Sequence, residues 1–128
     1  MTAEENNKAL VAAAYEGFGR GDLGPIFSML ADDVVWTNHA TSAAPFSGEY
    51  KGAAGVQQFF EALDAIEITH FDFHTLVAEG DIVVGLGDTA YTVKATGKSA
   101  AGPLVHVLRM ENGKLVRFDE FEHADDVW

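Results

Sequence analysis

The strongest constraint on the fold is a change in the hydrophobic pattern of the chain at residue 66. Three helix patterns and one short strand pattern precede this point, and only strand patterns follow it. The clearest helix pattern begins at Gly52, and its apolar residues recur at the i, i+3, i+4 and i+7 spacing of one helix face: Val56, Phe59, Phe60 and Leu63. A chain with this division builds most of its sheet from its second half.

The two earlier helices are marked by residues typical of helix ends. Thr2 and Glu5 form a capping box that opens the first helix, and the glycines between 17 and 21 end it. Asp22 can cap a second, short helix, in which Pro25 occupies the first turn. Both helices are therefore expected before the first strand.

Alternating apolar and polar residues predict strands over 33–39, 66–77, 82–96, 104–110 and 114–123, and residues 40–50 are expected to form a loop. Asn112-Gly113 is typical of a tight hairpin turn. The order α-α-β-α-β-β-β-β predicts an α+β fold, with three helices packed on a mostly antiparallel sheet. A strongly curved sheet around these helices would form a cone-shaped barrel with an apolar cleft at its mouth, bent at Gly85, Gly87 and Gly97.

Composition narrows the class of protein. A chain of 128 residues corresponds to one domain, 1–128, and the absence of cysteine excludes disulfides and thiolate catalysis. The net charge of -12 disfavours nucleic acid, phosphate-rich ligands and anionic membranes as partners. Neither a membrane-spanning run nor a signal peptide is present, so we expect a soluble cytoplasmic protein. Trp128 is expected to be a loose tail or a surface anchor.

The segment Gly85-Leu86-Gly87-Asp88-Thr89-Ala90 matches a dinucleotide-binding fingerprint and follows an apolar strand. That fingerprint requires a helix directly after it, because the helix N-terminus binds the pyrophosphate. Here the strand pattern continues instead, so we interpret these glycines as strand bends and expect no nucleotide cofactor.

His70, Asp72 and His74 alternate along one predicted strand and share a face, with Phe71 and Phe73 on the other. Two imidazoles and a carboxylate can hold a divalent metal. Alternate positions are about 7 Å apart, however, which is wide for chelation. We therefore expect the phenylalanines to pack on the core, the polar face to meet solvent or a partner, and no metal site.

Three predicted strand faces are apolar except for one polar residue each. They are Val34, Trp36 and Asn38; Leu104, His106 and Leu108; and, unless a bulge shifts the register, Val116, Phe118 and Glu120. A buried polar side chain is costly unless it is hydrogen-bonded, so three of them in one cavity would satisfy one another and still face a ligand. Tyr15, near the end of the first helix, could add a hydroxyl group.

These residue types suit proton transfer without a cofactor. Burial would raise the pKa of Glu120, which favours a general acid or base. His106 could orient Glu120, share its proton or donate to a developing oxyanion, and Asn38 could donate to the same oxygen. The alternatives are a satisfied polar core and a ligand pocket without chemistry.

The order of elements also resembles a known superfamily over essentially the whole chain. The matching stretches are Gly21-Asp22, 30–36, 46–52, 105–109 and 112–118. Together they resemble the SnoaL-like branch of the nuclear-transport-factor-two-like superfamily, which includes polyketide cyclases and is related to ketosteroid isomerase. The resemblance implies a cone-shaped α+β barrel that is often a dimer through the outer face of its sheet.

The resemblance also implies roles for individual residues. Asn38 and His106 match the pocket asparagine and histidine of polyketide cyclases, and Glu120 lies where those enzymes have an aspartate acid/base. Against ketosteroid isomerase the match is poorer. Asn38 replaces its aspartate base, His106 replaces its oxyanion-stabilising acid, and Tyr15 is one residue out of register with its tyrosine. Because an amide cannot abstract a proton, steroid isomerisation by that mechanism is not expected.

The sequence thus predicts a protein that binds a small hydrophobic or carbonyl-containing ligand and needs neither cofactor nor metal. Its expected activity is acid/base chemistry on an enolisable carbonyl compound, of the cyclase, isomerase or lyase kind. A non-catalytic binding protein and an epoxide-hydrolase-like enzyme are the alternatives, the latter only if Arg109 or Arg117 faces inward. The expected catalytic residues are Glu120, His106 and Asn38, and the expected substrate-binding residues are Tyr15, Trp36, Phe59, Leu104 and Phe118.

We also expect a homodimer. Val105, Val107 and Phe121 lie on the predicted outer face of the sheet, which the three helices of so short a chain cannot cover.

Overall fold

A curled six-stranded sheet runs through the part of the chain that the computed structural model describes, residues 2–123 and 125–128. The strands are β1 (Leu30–Asn38), β2 (Gly48–Lys51), β3 (Ile66–Glu79), β4 (Ile82–Val93), β5 (Ser99–Glu111) and β6 (Lys114–Phe121). The helices are α1 (Ala3–Gly19), α2 (Gly24–Met29) and α3 (Gly52–Ala62), and short 3₁₀ turns cover Leu63–Ala65 and Asp125–Val127. The α+β fold predicted from the sequence is confirmed.

The strands lie in the order β2-β1-β6-β5-β4-β3, and only β1 and β6 pair in parallel among them. α1 packs against β3 and β4, whereas α3 packs against β1 and β2. The core between the helices and the sheet is apolar, and five of its residues have no exposed surface: Val11, Val34, Val56, Val83 and Leu115. No helix in the described part of the chain is long and apolar enough to cross a membrane.

The helix ends follow the sequence signals closely. The Thr2 hydroxyl accepts a hydrogen bond from the Glu5 backbone N–H at 3.1 Å, as expected of a helix N-cap. Gly21 follows α1 with a positive φ of 78°. Asp22 accepts from the Gly24 N–H at 2.9 Å, although Leu23 occupies the N-cap position of α2. Asp22 therefore lies one position before the N-cap of α2, and its side chain still accepts a hydrogen bond from the first residue of the helix.

Two strands differ most from the prediction, whereas the ends of the other four lie within three residues of the predicted ones. β2 was expected to be loop, because four residues are too few to show a strand period. β5 begins at Ser99 rather than Leu104, since the small residues 100–103 continue the pairing with β4 without an alternating pattern. The extra residues of β5 lengthen the wall of the sheet beside β4.

A bulge changes the inward face predicted for β6. Arg109 pairs with Arg117 and Met110 with Leu115, so Val116 has no partner in the β5 register. Leu115 is completely buried, whereas Val116 is half-buried. Leu115 thus replaces Val116 beside the buried Phe118. The bulge lies before Phe118, and the strand is regular from Arg117 to Phe121.

The predicted glycine bends are only partly correct. The irregular pairing lies in β3, where the register with β4 shifts between Ile68 and His70 and again between Phe73 and Thr75. A Cβ atom at Gly87 would overlap the backbone oxygen of Asp72, so this glycine permits the close approach of β3. Gly97 has a positive φ of 72° in the turn after β4 and bends no strand.

The strand β4 continues past residues 85–90, so the helix required by a dinucleotide fingerprint is absent there.

Candidate active site

A cavity of about 80 Å³ lies between the helices and the concave face of the sheet. Apolar side chains from α1, α3 and the sheet form most of its wall. Six cavity-lining residues carry hydroxyl, imidazole or carboxylate groups: Tyr15, Thr89, Tyr91, His106, Glu120 and Glu122. A mainly apolar cavity with a few converging polar groups is typical of a small-molecule site.

The strand register places three of the predicted site residues side by side. Glu120 on β6 pairs with His106 on β5 and with Asn38 on β1. Each residue interrupts the inward face of its own strand. The parallel pairing of β1 with β6, which no local pattern reveals, is what brings Asn38 next to Glu120.

Tyr15, His106 and Glu120 form a connected row of polar groups at the cavity. The Tyr15 hydroxyl is 2.9 Å from His106 Nδ1, and His106 Nε2 is 3.4 Å from Glu120 Oε1. The second distance lacks good hydrogen-bond geometry, so Nε2 is buried without a hydrogen-bond partner among the described residues. Burial first, and the charge of Glu120 second, raise the pKa of Tyr15 far above its usual value. Tyr15 is thus a neutral hydroxyl that can donate to Nδ1.

Gly85 gives the Tyr15 hydroxyl its place beside His106. Gly85 pairs directly with His106 across β4 and β5. A Cβ atom at this glycine would lie 2.5 Å from the Tyr15 hydroxyl oxygen and 3.1 Å from the ring of Phe73. The Phe73 ring in turn stacks on Tyr15, with centroids 4.0 Å apart. The absence of a side chain at position 85 therefore makes room for the contact between Tyr15 and His106.

Comparison with known proteins assigns the fold to a family. A sequence profile described as the SnoaL-like domain matches residues 11–118, most of the chain. The chain belongs to the SnoaL-like domain family. Comparison with proteins of curated function found no match.

Solved structures agree with this family. An NTF2-like protein of unknown function from Burkholderia pseudomallei is 31% identical, with a TM-score of 0.82 over 94% of this chain and 91% of its own. A Mesorhizobium loti protein proposed to be a SnoaL-like polyketide cyclase is 20% identical, with a TM-score of 0.74, and the match covers 95% of this chain and 100% of its own. TerC, co-crystallised with polyporic acid, is 24% identical, with a TM-score of 0.75, and the match covers 91% and 90% of the two chains. The last two show similarity of fold alone.

The four predicted apolar binding residues of this SnoaL-like domain line the cavity: Trp36, Phe59, Leu104 and Phe118. Trp36 stacks on Phe118 with ring centroids 3.9 Å apart. Its indole Nε1 is buried and has no hydrogen-bond partner in the described structure. Trp36 thus contributes apolar surface to the cavity and carries a buried donor without a partner in the described structure.

Asn38 differs from its predicted position. It is only 2% exposed, but it does not line the cavity. Its Oδ1 accepts a hydrogen bond from the Ala40 backbone N–H at 2.9 Å, which fixes the turn after β1. Its Nδ2 has no hydrogen-bond partner among the described residues. Asn38 lies beside the candidate acid/base in the register, and one of its polar atoms holds the backbone.

Tyr91 and Glu122 are cavity residues that the sequence analysis missed. The Tyr91 hydroxyl donates to Glu122 Oε1 at 3.3 Å, and Tyr91 is 3% exposed on the inward face of β4. Burial first, and then the charge of Glu122, raise the pKa of Tyr91 well above its usual value. Glu122 follows Glu120 by two residues, and this strand spacing was the signal available in the sequence.

The residues considered for other chemistries lie outside the cavity. His70, Asp72 and His74 are exposed, and His74 contacts Thr75 at 2.9 Å and Asp88 at 3.7 Å. In the described part of the chain, no three histidine or carboxylate side chains are grouped closely enough to hold a metal ion.

The two arginines that an epoxide-hydrolase-like site would need do not face inward. Arg109 pairs with Asp81 at 3.3 Å, and Arg117 pairs with Asp119 at 3.0 Å. Each side chain is about half exposed. Since neither Arg109 nor Arg117 faces inward, the condition for an epoxide-hydrolase-like site is not met at these two residues.

Proposed function

We propose that this SnoaL-like domain catalyses proton transfer on a small, enolisable carbonyl compound, with Glu120 as the acid/base. The observation that supports the proposal is the row of Tyr15, His106 and Glu120 in an otherwise apolar cavity. A carboxylate placed beside a hydrogen-bonded imidazole can take up a proton and return it.

In the proposed step, the Glu120 carboxylate removes a proton from the carbon next to the substrate carbonyl. The electrons of the broken C–H bond move to the carbonyl oxygen, which becomes an enolate, while Glu120 becomes a neutral acid. Return of that proton to another atom completes an isomerisation. Attack of the enolate carbon on a second carbonyl carbon of the same molecule would instead close a ring, and the alkoxide formed on the second oxygen would take the proton back from Glu120.

The enolate oxygen needs hydrogen-bond donors that are in place before the reaction. Trp36 and His106 both line the cavity. Trp36 Nε1 and His106 Nε2 are buried and have no hydrogen-bond partner in the described structure. With Tyr15 donating to Nδ1, the neutral imidazole carries its proton on Nε2. Either of these N–H groups could donate to the developing charge, and Tyr15 would act by holding His106 in this form.

The size of the cavity limits the substrate. Its volume of about 80 Å³ is well below the roughly 300–1,000 Å³ of most ligand pockets. A one-ring compound is therefore favoured, and a larger ring system would require the half-buried side chains at the rim to move aside. Phe18, Phe60 and Leu63 are such side chains.

Hydrogen–deuterium exchange tests the proposal without knowledge of the natural substrate. The protein is incubated with cyclopentanone or cyclohexanone in deuterium oxide, and the loss of hydrogen next to the carbonyl is followed by NMR. We expect exchange above the buffer rate with the wild type, and about 10²–10⁴-fold slower catalysed exchange with Glu120→Gln. His106→Ala should lower both the rate and the stability, because it leaves the Tyr15 hydroxyl without its partner.

Glu111→Gln is the matched control, since this exposed glutamate lies outside the cavity and the substitution removes the same charge. It should exchange at the wild-type rate. Equal exchange by the wild type and Glu120→Gln would contradict the proposal. Ligand binding without any exchange would instead support the non-catalytic binding protein.

A further inference from the structure

Trp128 packs against the core beside the cavity, whereas the sequence suggested a loose tail or a surface anchor. Its side chain is half-buried and contacts two residues of the cavity wall, with ring centroids 5.5 Å from Phe46 and 6.4 Å from Tyr91. The rings of Phe46 and Tyr91 also contact each other, at 6.4 Å. These distances are typical of attractive aromatic pairs, so the three rings form one cluster.

Within this cluster, Trp128 lies behind the cavity wall. Phe46 and Tyr91 line the cavity and are only 2% and 3% exposed, whereas Trp128 is not among the lining residues. Phe46 belongs to the loop between β1 and β2, outside the strand pairing of the sheet. The indole of Trp128 therefore fills the space into which these two rings would otherwise turn away from the cavity.

A hydrogen bond from a neighbouring turn holds the segment that carries Trp128. The Thr96 hydroxyl, in the turn after β4, donates to the backbone oxygen of Val127 at 3.0 Å. Val127 is only 5% exposed and packs in the core. The place of the indole is thus fixed by apolar packing and by this hydrogen bond.

We infer that Trp128 determines the size of the ligand, because it holds Phe46 and Tyr91 against a cavity of only about 80 Å³. Replacing a large buried side chain by alanine leaves a space, since the neighbours relax only in part. An apolar cavity of about 150 Å³ holds a molecule of the size of benzene. Without the indole, Phe46 and Tyr91 can turn outward, and a second ring fits beside the first. This inference rests on the proposed function for its class of ligand, ketones, and adds the residue that limits their size.

Two ketones that differ by one fused ring test the inference: cyclohexanone and 2-decalone. Their affinities are measured by ligand-observed NMR and compared as a ratio, because a general loss of stability would weaken the binding of both. We expect the wild type to bind cyclohexanone at least about tenfold more tightly than 2-decalone. Trp128→Ala should bring the two affinities to within a few-fold or reverse their order. Trp128→Phe, which keeps an aromatic ring, should retain part of the wild-type preference.

Thr96→Val tests the same contact without removing the indole. It removes the hydroxyl that holds Val127, so it should lower the preference for cyclohexanone, but by less than Trp128→Ala does. Thr92→Val is the matched control, because the Thr92 hydroxyl contacts Ser99 at 2.9 Å and Thr92 does not line the cavity. This control should keep the wild-type ratio of affinities.

The inference is overturned if the wild type binds the two ketones equally, if a folded Trp128→Ala keeps the wild-type ratio, or if neither ketone binds at millimolar concentration. Should Trp128→Ala fail to fold, Thr96→Val decides. A ratio that is unchanged in Thr96→Val, or changed as much in Thr92→Val, then also overturns the inference.

Exchange of the ketone hydrogens separates this inference from the proposed function. A ratio that changes in Trp128→Ala, without any ketone exchange by the wild type, would support the inference and contradict the proposed function. Exchange that is lost in Glu120→Gln, combined with an unchanged ratio in Trp128→Ala, would do the opposite.

Discussion

At the scale of single residues, the absence of a side chain at Gly85 matters as much for the geometry of the site as the polar groups do. The Tyr15 hydroxyl reaches His106 only because no Cβ atom stands between β4 and α1. A methyl group 2.5 Å from that oxygen would force Tyr15 away and crowd the ring of Phe73. The geometry of His106 therefore depends on a residue with no functional group of its own.

We predict that Gly85→Ala separates Tyr15 from His106. The variant should lose about 1–3 kcal/mol of unfolding free energy through overpacking, and it should slow ketone exchange. Gly102→Ala is the matched control, because Gly102 also lies in a strand but has no atom within 4 Å of an added Cβ. That control should keep wild-type exchange and stability within about 1 kcal/mol. Equal behaviour of the two variants in chemical denaturation and exchange would contradict the argument.

Tyr15→Phe tests the same contact from the other side. The substitution keeps the ring that stacks on Phe73 and removes only the hydroxyl that contacts His106 Nδ1. We expect the wild-type His106 ring to be protonated on Nε2 when neutral, and a mixture of the two tautomers in the variant. Isotope-edited nitrogen NMR of the histidine rings measures this, with His106→Gln to assign the signals. His39, which contacts Asp119 instead, should not change. An unchanged His106 tautomer in Tyr15→Phe would show that the hydroxyl does not set it.

Residue types gave part of the site in advance, but not all of it. His106 and Glu120 were identified because each interrupts an apolar alternation, and both line the cavity. Asn38 interrupts its strand in the same way, yet its oxygen serves the Ala40 backbone. Glu122 falls inside the strand predicted over 114–123, but it follows the polar Glu120 on its face and so does not interrupt an apolar alternation. A pattern reports that a polar side chain is buried, but not which neighbour satisfies it.

At the scale of secondary structure, β6 places interacting side chains on both faces of the sheet. Glu120 lines the cavity, while the preceding Asp119 lies on the other face and contacts both His39 and Arg117. The sequence predicted β6 and its turn well, because the Asn112-Gly113 hairpin is a local signal. It could not predict the bulge at Val116 or the parallel pairing with β1, since both depend on strands distant in the chain.

Asp119 makes the contact between β6 and the end of β1 less stabilising at low pH. Burial alone would raise the pKa of Asp119, but hydrogen bonds from His39 and Arg117 and their charges lower it below its usual value. A lowered pKa in the folded state stabilises the protein above the unfolded-state value near 4, and this stabilisation is lost as pH falls through the folded-state value.

We therefore predict that Asp119→Asn reduces the stability at neutral pH more than at about pH 3, where the wild-type carboxylate is itself becoming protonated. Urea denaturation at the two pH values measures the difference. Asp64→Asn is the control, because this carboxylate is 91% exposed and its ion pair is with the exposed Lys94. A loss of stability by Asp119→Asn that is the same at both pH values would contradict the prediction.

At the scale of the whole molecule, the sheet has one face that its own helices do not cover. Val77, Leu86 and Phe121 are exposed by 53%, 37% and 43%. The register places the half-buried Val105 between Leu86 and Phe121, and Val84 beside Val77. These residues form a continuous apolar patch across four strands, from β3 to β6. Contiguous patches of this kind usually mark an interface.

We propose that this patch joins two copies of the chain in a homodimer, as the symmetry of most soluble oligomers favours. Leu86→Arg combined with Phe121→Arg should give a monomer by light scattering at micromolar concentration, because two desolvated charges oppose the contact. Ile68→Arg is the control: Ile68 is 36% exposed but lies at the rim of the cavity, so this variant should remain dimeric. Each copy carries a charge of -12, so lowering the salt concentration should weaken the dimer through repulsion. A wild type that is monomeric at micromolar concentration would exclude this assembly, and the patch would then need a different partner.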